Sequence, residues 1–463
     1  MTRPSSSRSE TATGLFTPTF VTEGFDELTA PAAWLRAMLD FEGALALAQA
    51  DVGLVPTAVA EEIADRCRRS EDFDVDSTAR RAADSATPVI PLVKDLTAGV
   101  SAEAGAYVHR GATSQDVVDT AAMLVAREAV RASLRELRVV ADECARLAEE
   151  HRHTLITGRT LLQHALPTTF GRKAAGWLVA VIEAAEGLAG IWRHRLAVQF
   201  GGPVGTLATF GSDGVRVTTA LAERLGLAEP VLPWHTDRTR VVDLATSLGT
   251  VAGALGNIAL DVELAAQTEV GELAEGRSGG SSAMPHKRNP VRAVRVNAAA
   301  RRAPGLVATL LSAVPQEHER AAGAWQAEWE PFNELLRLTG SAAAVTGEML
   351  GELEVDADRM RSNLELSGGV LLTERISTAL ATELGPVVAS ELVGELSRRV
   401  SRDGSTLRAE LLADETVRAV LSERDVLDLT EPGDYLGSAD EFIDRALAAH
   451  TRWKETSAGD PGL

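Results

Sequence analysis

The stretch VVDLATSLGTVAGALGNIALDVELAAQ, residues 241–267, decides the fold class. Its apolar positions Val241, Leu244, Leu248, Val251, Leu255, Ile258 and Val262 follow one another at alternating steps of three and four. That spacing brings side chains back to one side of an α-helix and leaves a narrow apolar seam. A seam of this length, unbroken by proline, predicts a long helix packed lengthwise against partners at a shallow angle. Gly249, Gly253 and Gly256 weaken such a helix. Their presence is explained if a neighbouring backbone comes close.

The same pattern recurs at Val130, Leu134, Leu137, Ala141, Cys144 and Ala148. No proline lies between Pro91 and Pro167, between Pro233 and Pro285, or between Pro331 and Pro386, and each gap can hold a helix far longer than three turns. Aromatics are only 4%, and Ala, Leu, Glu and Arg dominate, which favours helix over strand. The expected architecture is all-α: an N-terminal helical domain over 1–110, a central long-helix bundle over 111–365 and a C-terminal helical domain over 366–463.

Composition excludes several functions. Lys plus Arg number 46 against 66 Asp plus Glu, a net charge of -20 that repels nucleic acid while leaving room for a local basic pocket. Two cysteines, Cys67 and Cys144, are too few for a disulfide framework or a zinc ligand set, and both are expected to be buried, inert thiols. The polar N-terminus has no apolar signal core, and no uninterrupted apolar run reaches the roughly 20 residues of a membrane span. A cytoplasmic protein without membrane partners is expected.

Loops stand at 108–116, 199–206, 230–239 and 275–290, mixing Gly or Pro with hydroxyls and, in all but 199–206, Arg. Polar groups held between rigid helices are where function concentrates. The last loop contains GSSAMPHKRNP, Gly280 to Pro290. Its glycines give a hinge, two hydroxyls follow, and Lys287, Arg288 and Asn289 place cations and an amide a few residues away. Read without further context, this is equally a capping serine before a solvated basic turn.

The whole string resembles the signature G-S-S-x-M-P-x-K-x-N-P of the fumarase/aspartase superfamily, matching at every fixed position. HRGATSQDVVDT (109–120) resembles that superfamily's first conserved region and GRTLLQHALPTTFG (158–171) its second. The resemblance implies Ser281 as general base, with Lys287 and Asn289 on a substrate carboxylate. It also implies carboxylate contacts from Thr113 and Ser114, with His109 and Gln115 beside them, and from Thr160 and Gln163. It further implies a twenty-helix core in a homotetramer whose sites draw on three subunits, a small anionic dicarboxylate substrate, and chemistry without metal or organic cofactor. Hydroxyl donors suit a carboxylate because they bind it without adding another charge to desolvate.

One position departs from the pattern. Fumarases and adenylosuccinate lyases place a histidine directly after the threonine of the second region; here Leu161 stands there and His164 comes three residues later. His164 is the remaining candidate for a general acid, or a packing residue. A leaving group that departs as a stable anion has little need of one.

PWHTDRT, QTEVGELAEG and PQEHERAAGAWQAEW resemble the 3-carboxy-cis,cis-muconate cycloisomerase clade. Within it, His235 and Arg238 are expected to face substrate. His318, Trp325 and Trp329 are expected to pack, and Arg320 is open to either role. Arg110 replaces the aromatic or aliphatic side chain usual in that clade. Its planar guanidinium suits carboxylate or nitro oxygens, or else a salt bridge to another subunit. The clade includes nitrosuccinate lyases, and Arg110 would fit a departing nitrite, so the expected reaction is β-elimination of nitrite from nitrosuccinate to give fumarate. The alternative is lactonisation of 3-carboxymuconate. A non-catalytic structural relative is the third reading.

Overall fold

The computed structural model describes residues 14–276, 279–280, 284 and 287–458. The elements that carry the argument are helices α1 (Pro31–Asp51), α2 (Thr57–Arg68) and α3 (Ser114–Glu150), then the hairpin β1 (Leu155–Thr160) and β2 (Gln163–Thr169). After it come α4 (Phe170–His194), α5 (Thr239–Ala265), the short strands β3 (Leu273–Glu275), β4 (Gly279–Gly280) and β5 (Arg288–Asn289), and α6 (Val291–Ser312). Helix α7 (Ala324–Gly351), strand β6 (Leu353–Val355) and helix α8 (Ala439–Ala458) complete the set.

The fold is all-α apart from these short antiparallel pairs, β1 with β2, β3 with β6 and β4 with β5. Helix α3 packs against α1, α4 and α7, while α5 packs against α4, α6 and α7. All seven seam residues of α5 are buried, as are all six of α3. A second apolar cluster, between Leu364 and Val426, precedes α8, which returns to lie on α4 and α3.

The seam glycines separate into two cases. A Cβ on Gly256 would stand 2.5 Å from the Ala300 Cβ on α6, the close approach expected from the sequence, whereas one on Gly253 would meet nothing within 4 Å. Gly253 therefore has no explanation within one chain. Gly256→Val is expected to cost about 1–3 kcal/mol by overpacking, read as a lower thermal midpoint. Within one chain an alanine at Gly253 meets no steric conflict.

Cys67 and Cys144 are free and buried, and burial pushes both thiols well above the ordinary value. Helices α4 and α5 are long and apolar enough to cross a membrane by length and composition. Both are bundle helices, with 56% and 44% of those stretches already buried inside the chain.

Candidate active site

The bundle has two functional ends. At the first, Asp116 on the opening turn of α3 is fully buried and gathers three of the loops singled out from the sequence. Its Oδ1 accepts from Gly201 N (3.0 Å) and lies 2.7 Å from His235 Nε2, while its Oδ2 accepts from Gly202 N (2.9 Å) and Thr113 N (3.0 Å). Burial raises its pKa, and His235 and the backbone donors pull it back. Arg320 donates to Thr113 Oγ1 (2.5 Å) and to the carbonyl of Pro203 (3.0 Å), which draws the 315–323 loop onto the same end. Sequence reading passed over Asp116. Its signal was a capping box, Thr113 followed three residues later by an acid.

Behind this end lies a buried ionic network. Arg238 is 2% exposed and binds Asp119 through Nη1 and Nη2 (2.7 and 3.0 Å) and Glu328 through Nε and Nη2 (3.0 and 2.6 Å). One guanidinium faces two carboxylates, and neutral donors meet the surplus charge: Gln115 and Trp325 on Asp119, Gln316 on Glu328. Three expectations change as a result. Arg238 and His235 do not open onto substrate; they are committed to Glu328, Asp119 and Asp116. Gln115, 0% exposed, donates to Asp119 and the His235 carbonyl and braces the loops. Trp325 and Trp329 pack edge to face at 4.9 Å, as expected.

His109, Arg110, Thr113 and Ser114 remain partly accessible at this end. Arg110 donates through Nη1 to the Leu54 carbonyl (3.0 Å) and lies over the Tyr107 ring at 5.5 Å.

The second end carries the other two motifs. Thr160, Gln163 and His164 are exposed on the β1–β2 hairpin, where Thr160 pairs with Gln163 across the two-residue tip Leu161–Leu162. A cavity of about 710 Å³ beside it is lined by Arg159, Leu161, His164, Lys173, Asp261 and Glu272. Arg159 is held by Glu272 (2.9 and 2.5 Å), and Asn363 donates to the same carboxylate (2.8 Å). Burial and the charge of Arg159 hold His164 below the usual histidine value.

The signature loop leaves from this same end. Glu275 caps α6, accepting from Arg292 N (3.1 Å) and Ala293 N (2.8 Å), and β4 pairs Gly279 with Asn289. Lys287 is exposed and Asn289 half-buried. Ser281 lies outside the described residues. Among the described residues, no three His, Cys, Asp or Glu side chains gather as a metal-holding group.

The hairpin tip is strained. Leu161 and Leu162 have φ of 50° and 64° and are 97% and 77% exposed. A tip of this conformation favours Asn-Gly, and a left-handed backbone costs an ordinary residue about 1–2 kcal/mol. Two bulky apolar side chains are held out in solvent in that conformation. Replacing the pair by Asn-Gly is expected to raise stability by at least about 1 kcal/mol, read as a higher thermal midpoint, with loss of activity.

The two ends are far apart. Helix α3 joins Thr113 to the hairpin and has 37 residues, about 55 Å at 1.5 Å per residue. Helix α5 runs the same way, from the His235 loop to Gln267 at the hairpin cavity. So does α7, from Trp325 on Asp119 to the β6 partner of β3. No small substrate touches both ends of one chain.

Residues 23–305 match the lyase family, and residues 369–446 match the adenylosuccinate lyase C-terminus. The chain belongs to the fumarase/aspartase superfamily. It is 47% identical to a 3-carboxy-cis,cis-muconate cycloisomerase of Pseudomonas aeruginosa, over 90% of this chain and 92% of that one. It is 44% identical to a nitrosuccinate lyase of Streptomyces davaonensis, over 95% of both. The crystal structure of 3-carboxy-cis,cis-muconate lactonizing enzyme from Pseudomonas putida superposes with a TM-score of 0.90 at 41% identity, covering 95% of this chain and 99% of that one. All three motifs lie within the residues that match the lyase family.

Proposed function

We propose that this superfamily lyase catalyses cofactor-independent β-elimination on a small dicarboxylate, with nitrosuccinate as substrate and fumarate and nitrous acid as products. The observation that carries the reaction class is the complete string GSSAMPHKRNP in a chain matching the lyase family over residues 23–305. Ser281 takes the proton from the carbon next to one carboxylate. The resulting aci-carboxylate dianion is met by Lys287, Asn289, Thr113 and Ser114. The C–N bond then breaks, its electron pair leaves with nitrite, and the carbon–carbon double bond of fumarate forms. Nitrite is a stable anion, so its departure makes little demand on a general acid.

Arg110 supports nitrosuccinate. Among the described residues only its Nη1 has a hydrogen-bond acceptor, the Leu54 carbonyl, which leaves planar donors for a nitro group. Arg110→Met is expected to lower kcat/KM for nitrosuccinate about 10–100-fold, the loss of one charge-assisted hydrogen bond. An unchanged value would return Arg110 to a structural role. The rival reading, lactonisation of 3-carboxymuconate, is favoured by the 47% identity to the Pseudomonas aeruginosa cycloisomerase.

A complete site brings the Thr113 end of one chain to the hairpin and signature-loop ends of other copies, as in a homotetramer. The length of α3, the exposed Leu161–Leu162 tip and the open face at Gly253 all support such an assembly.

Parallel incubations with nitrosuccinate and with 3-carboxy-cis,cis-muconate test the substrate. Equal amounts of fumarate and nitrite are expected from the first. Loss of the diene absorbance in the second, with no nitrite in the first, would make the chain a cycloisomerase.

A further inference from the structure

Glu42 lies in the middle of α1 and is 1% exposed. It belongs to none of the three motifs. Its Oε1 is 2.6 Å from His109 Nδ1, and its Oε2 is buried with no hydrogen-bond partner among the described residues. The cost of burying that carboxylate is therefore offset mainly by His109.

His109 is unusual in its backbone as well. Its φ is 56°, a left-handed conformation that an ordinary residue keeps only when its surroundings impose it. The turn aims Nδ1 back at α1. No described residue bonds the other ring nitrogen, and the ring remains partly accessible, 21% exposed, four residues before Thr113.

The charged neighbours are few. Asp116 on α3 acts on His109 from a distance, and Arg110 turns away to the Leu54 carbonyl. The Cys67 thiol on α2, under the charge of Glu42, is kept protonated by its own burial and by that charge. Burial alone would push His109 below the ordinary histidine value. The charge and hydrogen bond of Glu42, with help from Asp116, outweigh it and leave the imidazole above that value.

We propose that Glu42 is a positioning residue that keeps His109 as an imidazolium, and that this cation binds a substrate carboxylate through its Nε2–H. The proposal deepens the functional reading above and rests on it for the identity of the anion. A buried carboxylate that accepts from Nδ1–H fixes Nε2 as the outward nitrogen, and Nε2 is a donor there only while the ring is an imidazolium. The Thr113 end also holds the Arg110 and Arg320 guanidiniums, and the imidazolium adds a further charge, from a compact ring, to the attraction for a dianion.

Glu42→Gln keeps the side-chain shape and removes the charge, with His109→Gln as reference. Thermal midpoints between pH 5.5 and 9.5 provide a readout that needs no substrate. A group whose folded pKa is raised stabilises fully below its unfolded value, near 6.5, and that contribution is lost as pH rises through the folded value. Wild type, compared with His109→Gln, should therefore lose stability with rising pH. In Glu42→Gln burial dominates and the slope should reverse. The alkaline limb of kcat/KM, on whichever substrate is turned over, should move to lower pH.

An unreversed thermal slope would overturn the pairing. A reversed slope with a wild-type pH–rate profile would overturn the role of the cation in binding. If wild type turns over neither substrate, the functional reading fails, while the thermal arm still decides whether Glu42 holds the charge.

Discussion

Replacing Ser281 by alanine is expected to lower kcat about 10²–10⁴-fold, the usual contribution of a positioned general base, and to leave the thermal midpoint unchanged. A serine hydroxyl is a poor base in water, so the assignment requires surroundings that favour the alkoxide. Backbone N–H groups and the cation of Lys287, six residues on in the same loop, are the groups available. Because the loss is of proton abstraction and not of binding, KM should change little. A Ser281→Ala protein with full activity would remove the base from the mechanism. A protein that loses activity together with its folded state would leave the loss unrelated to chemistry. Measuring kcat, KM and thermal midpoint on one preparation separates these results.

The second large effect concerns stability. Arg238→Ala is expected to destabilise the chain by about 3–5 kcal/mol, because Asp119 and Glu328 would be left buried with no cation between them. Burial already raises the Glu328 carboxyl, and Arg238 is the main influence pulling it down. Arg110→Ala should cost far less, about 1 kcal/mol, since it removes one hydrogen bond and a stacking contact at a partly accessible position. Chemical denaturation of the two variants gives the comparison. Equal losses would mean that the Arg238 network is not what holds the 108–116, 230–239 and 315–329 segments together.

The bundle was legible because helix periodicity is a local property. Val241 to Val262 and Val130 to Ala148 announce buried seams, and every one of those residues is buried. Proline gaps were a poorer guide to boundaries, since α6 contains Pro304 and α7 contains Pro331. The hairpin was not legible. Its tip, Leu161–Leu162, lacks the Asn-Gly chemistry of such turns and is held in a conformation that the sequence alone gives no reason to expect.

Among the site residues, the motifs located the right segments, but the spacing could not say which side chains face outward. The resemblance places Gln115 beside the Thr113–Ser114 pair and has Arg238 face substrate. Their burial follows from Glu328, 90 positions from Arg238, and from the His235 carbonyl, 120 positions from Gln115, and pairings that distant leave no periodic trace. Glu42 was hidden for the same reason: it is 67 positions from His109, in a helix that otherwise reads as core.

The central claim is that one active site draws its Thr113 end and its Ser281 loop from different chains. Co-expressing Ser281→Ala with Thr113→Val, each inactive when purified alone, tests it most directly. Mixed assemblies would then contain sites in which both residues are wild type, and activity should return to about a quarter of the wild-type value for random mixing. A mixture no more active than either variant would mean that both groups act from the same chain, and would contradict the account.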